Sequence, residues 1–260
     1  MLKEDRFEFS ISEAYHENSK YHLARLQPPT LSAPDPAQTS EAFKTYRRAP
    51  VIPLPEDFSA GSLSLEEAIT TRRSVREFSG DAITIQELAK LLFLTNGVTT
   101  AQTNDAVTYF FRAAPSAGAL YPVEIYPVVF SVTSVEPGLY HYNVRDHSLE
   151  LLRAGDHRQT VHDDCLFHEL ILTANVVLLA TAVFQRVKQK YGERGYRFAL
   201  LEAGHIMQNS CLVATAMELG AVTLGGFLDD KLNALIGVDG VDEAMVYAAA
   251  IGCRSPSNES

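Results

Sequence analysis

Hydrophobic and polar positions follow two different periods along this chain. Between Ser64 and Gly97 the period is helical. Ser64-Leu65-Glu66-Glu67 and Thr84-Ile85-Gln86-Glu87 each set a hydroxyl three residues ahead of a carboxylate, the reciprocal pairing that satisfies free N–H groups at a helix start. The first predicts a helix ending near Arg72 and Arg73. The second opens a helix with an apolar face of Leu88, Leu91, Leu92 and Leu94, ended by Asn96-Gly97. Beyond residue 123 the pattern changes to that of strands. Residues 124–132 are β-rich, Glu136-Pro137-Gly138 is a turn, and residues 139–143 and 149–152 read as an antiparallel pair. Residues 176–183 read as one continuous, predominantly apolar run, as in a strand buried on both faces. The longest helical pattern covers 196–219, where Leu200, Ala203, Met207, Cys211, Ala214 and Met217 keep one face and Gly220 ends it. Residues 221–224 and 245–251 are further strands, and Asp229-Asp230 open a helix between them. Strands and helices are mixed without a βαβ rhythm, which predicts an α+β fold.

Before Ser64 the pattern is different. Pro28, Pro29, Pro34, Pro36, Pro50, Pro53 and Pro55 exclude a long helix and predict an extended arm, with room for a short helix within residues 1–20. The division expected is an arm over residues 1–60 and one domain over residues 61–260. A chain of 260 residues buries enough surface to stand without disulfides. Its cysteines, Cys165, Cys211 and Cys253, are widely spaced with no CxxC, so they read as reduced packing residues. A net charge of −10 argues against nucleic-acid binding. There is no apolar run of the roughly 18–20 residues that a membrane span needs. The first ten residues carry no secretory signal, and a cytoplasmic location is expected.

Four segments carry candidate chemistry. Arg72-Arg73-Ser74-Val75-Arg76 collects three guanidiniums and a hydroxyl in an acidic chain; they either bind phosphate or offset a helix dipole. Pro115-Ser116-Ala117-Gly118-Ala119-Leu120-Tyr121-Pro122 is small enough for close approach to a flat ligand, or is a tight loop before a strand. Lys190-Tyr191-Gly192-Glu193-Arg194-Gly195-Tyr196-Arg197 is either an acid–base pair at a strand-to-helix corner or a solvated turn. Leu224-Gly225-Gly226-Phe227 and Gly252-Cys253-Arg254 close the set, with no dinucleotide or P-loop fingerprint. His162 and His168, six apart, would point to different sides of a helix, and no metal is expected.

Taken in order, together with Met207-Gln208-Asn209, these segments resemble the nitroreductase superfamily over residues 65–254. More closely they resemble its SagB-type branch, flavin dehydrogenases that oxidise azolines to azoles in ribosomal peptides. Tyr15-His16-Glu17-Asn18-Ser19-Lys20-Tyr21-His22 is similar to the leading segment of stand-alone members. The resemblance implies a central, mostly antiparallel sheet flanked by helices in an interlocked homodimer, with FMN at the interface. It implies that Arg72, Arg73, Ser74 and Arg76 clamp the phosphate and ribityl chain, and that Arg254 is a distal phosphate ligand. Pro115, Ser116, Ala117 and Gly118 would lie along the isoalloxazine. Leu224, Gly225 and Gly226 would close over its pyrimidine side. Gln208 matches the cofactor motif, and Lys190 and Tyr191 take the catalytic position. A cyclodehydratase and a precursor peptide are the implied partners. The competing readings are an NAD(P)H-dependent nitro- or quinone reductase and a flavin-binding scaffold without turnover.

Overall fold

The computed structural model describes residues 10–20, 43–56, 58, 63–104 and 107–256. Both predicted capping boxes form. Ser64 starts α2 (Leu65–Thr71) and Thr84 starts α3 (Ile85–Asn96), with hydroxyl and carboxylate each bonded to the other's backbone N–H. Ser10 does the same for α1 (Ile11–Asn18). Between α1 and α2 lies β1 (Val51–Pro53), and β2 (Ile83–Thr84) leads into α3. A two-stranded hairpin follows, β3 (Val98–Asn104) with β4 (Val107–Arg112). Then come β5 (Val123–Val129), β6 (Val132–Thr133), β7 (Gly138–Asn143), β8 (Ser148–Ala154) and α4 (Arg158–Asp164). The chain continues with β9 (Val176–Val183), α5 (Gln185–Tyr191), α6 (Arg194–Ala216), β10 (Leu219–Leu224), α7 (Asp229–Ile236) and β11 (Glu243–Cys253).

Seven strands form one sheet in the order β1-β8-β7-β5-β9-β11-β10, and every pair in it is antiparallel. The run read as 176–183 is its central strand β9, whose alternate residues feed two cores. Val176, Leu178 and Ala180 pack with Leu88, Leu91 and Leu92 of α3 and Ile206 and Met207 of α6. Val177 and Leu179 pack on the opposite face with Val161, Ile171, Leu232 and Ile236. Helices therefore cover both faces of the sheet. Among the described residues no helix is long and apolar enough to cross a membrane. Cys165 and Cys211 are buried and Cys253 partly so; burial raises all three thiol pKa values, Cys165 to about 12.

Several strands run a residue or more beyond the limits that the pattern gives, and the larger departures are a strand break and the ends of the long helix. The β-rich run 124–132 breaks at Phe130, where the backbone bonds to Asn175 instead of continuing the ladder. The long helix covers Arg194–Ala216, not 196–219. Glu218 turns left-handed at φ 62°, and Leu219 already belongs to β10. Gly220 is therefore no helix cap. A Cβ there would lie 2.7 Å from Val75 Cγ1, so glycine lets the segment after α2 press against the sheet edge.

Residues 21–42, which include Pro28, Pro29, Pro34, Pro36, Tyr21 and His22, lie outside the described residues. The chain then enters the sheet through β1, which pairs with β8.

Asn175 ties three parts of this frame together. Its fully buried amide donates to the carbonyls of Asp81 at 2.7 Å and Ser131 at 2.9 Å, and accepts from the Cys253 N–H at 2.9 Å. Asn175→Ala leaves these backbone groups without that partner and should cost about 2–4 kcal/mol in denaturant unfolding. A loss below about 1 kcal/mol would show that water replaces the amide.

Candidate active site

The arginine segment leaves α2 at Arg72, whose backbone is extended (φ −53°, ψ 126°). Residues 72–76 then run beside the edge strand. Ser74 bridges Ala221 in parallel, and the Val75 N–H donates to the Ala221 carbonyl at 3.0 Å. Val75 is buried while Arg73, Ser74 and Arg76 face solvent. Arg254 joins them from the end of β11: it bridges Phe78, and its Nε donates to the Leu219 carbonyl at 3.1 Å. Arg72 sits close enough to Cys211 for its charge to favour the thiolate against burial. Among the described residues, none of Arg72, Arg73, Arg76 and Arg254 has a carboxylate in an ion pair. Four cations without counter-anions suit a dianionic ligand.

The second group forms around a strained loop. After β4 the chain makes a short 3-10 turn, Ala117–Ala119, with left-handed backbone at Gly118 (φ 65°), Ala119 (φ 54°) and Tyr121 (φ 46°). Such conformations persist where neighbours over-determine them. The Tyr121 N–H donates to Ser116 Oγ at 2.9 Å, and the Tyr121 hydroxyl accepts the Arg112 N–H at 3.1 Å. The Arg186 guanidinium donates to the Tyr121 carbonyl at 2.9 Å. Gly118 suits its left-handed φ, and a Cβ there would lie 2.7 Å from the Tyr191 hydroxyl and 2.9 Å from Lys190 Nζ, so a larger residue would displace these two side-chain ends. The structure thus brings together Gly118 and the Lys190-Tyr191 pair, which the sequence separates widely. Lys190 and Tyr191 do not sit on a bare strand-to-helix turn, as the pattern suggested. They end α5, where Arg186 and Val187 are buried and anchor the helix. The Tyr191 ring meets Phe198 edge-on at 5.0 Å, and Lys190 Nζ lies 5.4 Å from the Tyr191 centroid.

Beneath this loop lies a buried charge cluster that the sequence reading did not find. Arg186 pairs with Glu124, Glu124 meets His141 Nε2 at 3.1 Å, and His141 Nδ1 meets Glu150 at 2.8 Å. Arg112 and Glu202 complete it, and all six are buried. Burial pushes Glu124 up, but Arg186, His141 and Arg112 outweigh it and bring its carboxyl down to about 2. Burial opposes charge on His141, yet Glu124 and Glu150 raise its pKa on balance. Glu202, on α6, goes the other way. Burial raises it to about 7, although Ser116, the Val123 N–H, Arg112 and Arg186 all favour its charge. The only sequence signal was charge at positions where a strand or helix face should be apolar.

The remaining predicted residues lie apart from the Lys190 group. Gln208 is exposed on α6, Leu224 is buried at the end of β10, Gly225 is open, and Gly226 rests against Leu166. Glu202 and Cys211, which mark the two groups on α6, are nine residues or about 14 Å apart along its axis.

The nitroreductase family profile matches residues 69–253. A nitroreductase-like protein of Methanocaldococcus jannaschii is 36% identical over 67% of this chain and 84% of its own. The microcin B17-processing protein of Escherichia coli is 29% identical over 49% of each chain, so this chain matches only about half of that protein. Among solved structures, a nitroreductase-like protein of Anabaena variabilis superposes with a TM-score of 0.73 at 30% identity, covering 93% of this chain and 46% of that one.

Glu202 makes the site's frame sensitive to pH. Its folded pKa of about 7 lies above the ordinary 4.5, so its contribution to stability is full below pH 4.5 and is lost as pH rises to about 7. Glu202→Gln removes that titration. The stability of the native protein relative to the variant should fall by about 3 kcal/mol across this window, at ~1.4 kcal/mol per unit. A difference independent of pH would contradict the assignment.

Proposed function

The chain belongs to the nitroreductase family, and from that premise we propose that it is an FMN-dependent dehydrogenase that oxidises thiazoline or oxazoline rings of a peptide to thiazoles or oxazoles. The observation that carries this reading is the packing of Lys190 and Tyr191 against Gly118, in a loop small enough to lie along a flat ring. Similarity to the microcin-processing protein supports it. Similarity to the Methanocaldococcus protein favours a second reading, an NAD(P)H-dependent nitro- or quinone reductase in which the Lys-Tyr pair is incidental.

The residues present fit FMN. Arg72, Arg73, Arg76 and Arg254 would hold its phosphate, helped by Ser74. Pro115, Ser116, Ala117 and Gly118 would follow the ring, and Gly225, with nothing within 4 Å of a Cβ position, leaves its face open. The two groups pack near separate stretches of α6, and on this reading each chain of a homodimer contributes one of them to a complete site. Exposed Tyr196, Leu200 and Leu201 on α6 give that pair an apolar contact. Residues 61–260, with β1 added to their sheet, form the catalytic domain, and a cyclodehydratase supplies the azoline peptide.

Bound FMN supplies a two-electron acceptor. Oxidising an azoline removes a hydride from one ring carbon and a proton from the other ring position. Lys190 Nζ takes that proton, and the Tyr191 hydroxyl holds the substrate ring in register. The Gly118 loop excludes water from one side.

Arg72→Ala and Arg254→Ala should each lower FMN affinity roughly 10- to 100-fold, as expected for loss of a charge-assisted contact of about 1.5–3 kcal/mol. Lys190→Ala should retain FMN while azole formation, followed by the 2 Da mass loss of a thiazoline peptide, falls about 10²–10⁴-fold. Wild-type azole formation by Lys190→Ala would remove the pair from the chemistry. Inactivity of both forms on azolines, with equal quinone reduction, would establish the second reading.

A further inference from the structure

Helix α1 lies on the first turn of α6, and the contact leads in a line to Tyr191. Arg194 donates to the Ser19 carbonyl at 3.1 Å. Arg197 donates to the His16 carbonyl at 2.8 Å and meets His16 Nδ1 at 3.0 Å. The Tyr15 ring meets Tyr196 edge-on at 5.4 Å, with the Arg197 guanidinium 5.4 Å from its centroid. Arg194 in turn lies 5.8 Å from the Phe198 ring, the ring that meets Tyr191 at 5.0 Å. Tyr191 and Lys190 close on Gly118.

Two physical points separate this contact from ordinary packing. Arg194 and Arg197 occupy the N-terminal end of α6, where the helix dipole is positive and cations are unfavourable. The carbonyls that receive them belong to the C-terminal end of α1, the negative end of a second dipole. The contact thus offsets a charge arrangement that α6 alone disfavours. Second, α1 has eight residues, too few to hold a helix in isolation. It buries no residue of its own, and Ile11 is 91% exposed. It adds nothing to the apolar core, so its contact acts locally, on the turn that follows Lys190 and Tyr191.

Resting on the reading that Lys190 and Tyr191 act on substrate, we propose that α1 is a positioning element for that pair. Tyr15, His16 and Ser19 fix Arg197 and Arg194, and Arg194 fixes the Tyr191 ring through Phe198. The Tyr15-His16-Glu17-Asn18-Ser19 motif thereby gains a role at the site although it lies far from it in sequence.

The test uses the full chain loaded with FMN and compares wild type with Tyr15→Ala, Tyr15→Phe and Arg194→Lys. Amide hydrogen exchange should accelerate about fivefold or more over residues 188–196 in Tyr15→Ala and Arg194→Lys, with β9 and β11 unchanged. Tyr15→Phe keeps the ring contact and should match wild type. With a thiazoline peptide, kcat should fall about tenfold in the first two variants while KM and FMN content hold, because a displaced catalytic group lowers turnover without weakening binding. Unchanged exchange over residues 188–196, equal acceleration in β9 and β11, or a loosened corner with unchanged kcat would each overturn the proposal. A wild type that binds FMN but leaves azolines untouched defeats the dehydrogenase reading instead, and exchange at this corner still decides whether α1 holds it.

Discussion

Arg186 is the joint on which the Lys190 half of the site depends. It sits on α5, one helical turn before Lys190, and its guanidinium reaches both the Tyr121 carbonyl and the Glu124 carboxylate. One side chain thus fixes the helix that carries the Lys-Tyr pair to the loop that carries Gly118. Burying this charge is costly unless it is paired, and a cluster of such groups holds together only as a set. Glu124 stays ionised because Arg186, His141 and Arg112 surround it, and His141 favours its charged form because Glu124 and Glu150 flank it. The left-handed backbone at Gly118, Ala119 and Tyr121 is kept in place by this rigid support.

The arginine half of the site is built by a different device, close backbone approach. Gly220 and Gly252 leave room for Val75 and Phe78 to press onto β10 and β11. That contact turns residues 72–76 into an added edge along the sheet and sets Arg254 beside them. The two halves share α6 but lie along different parts of it.

Elements with a local signal were legible in the sequence: the Ser64 and Thr84 capping boxes, the apolar strand β9, and the part of the α6 face made by Ala203, Met207, Cys211 and Ala214, whereas Leu200 is exposed and Met217 lies past the helix end. The end of α6 was not, because Gly220 looks like a helix terminator and is in fact a glycine of close approach. Helix α5 was missed because its residues, Gln185 to Tyr191, are mostly polar, and its anchor Arg186 is buried as a charge rather than as an apolar side chain. Motif resemblance singles out the segments around Arg72, Gly118, Lys190 and Gly225 as candidates. Their grouping into two clusters was not visible, since nothing local relates Gly118 to Lys190. Glu202 and Arg112 gave no motif at all; their importance comes from burial, which only the fold confers.

On the proposed reading this family member withdraws electrons from an azoline rather than delivering them from a nicotinamide. The most direct measurement is anaerobic mixing of the FMN-loaded protein with a thiazoline peptide while the visible absorbance of the oxidised flavin is followed. An azoline dehydrogenase is bleached by the peptide alone, with thiazole appearing in step. Bleaching by NAD(P)H, with none by the azoline, would contradict this reading.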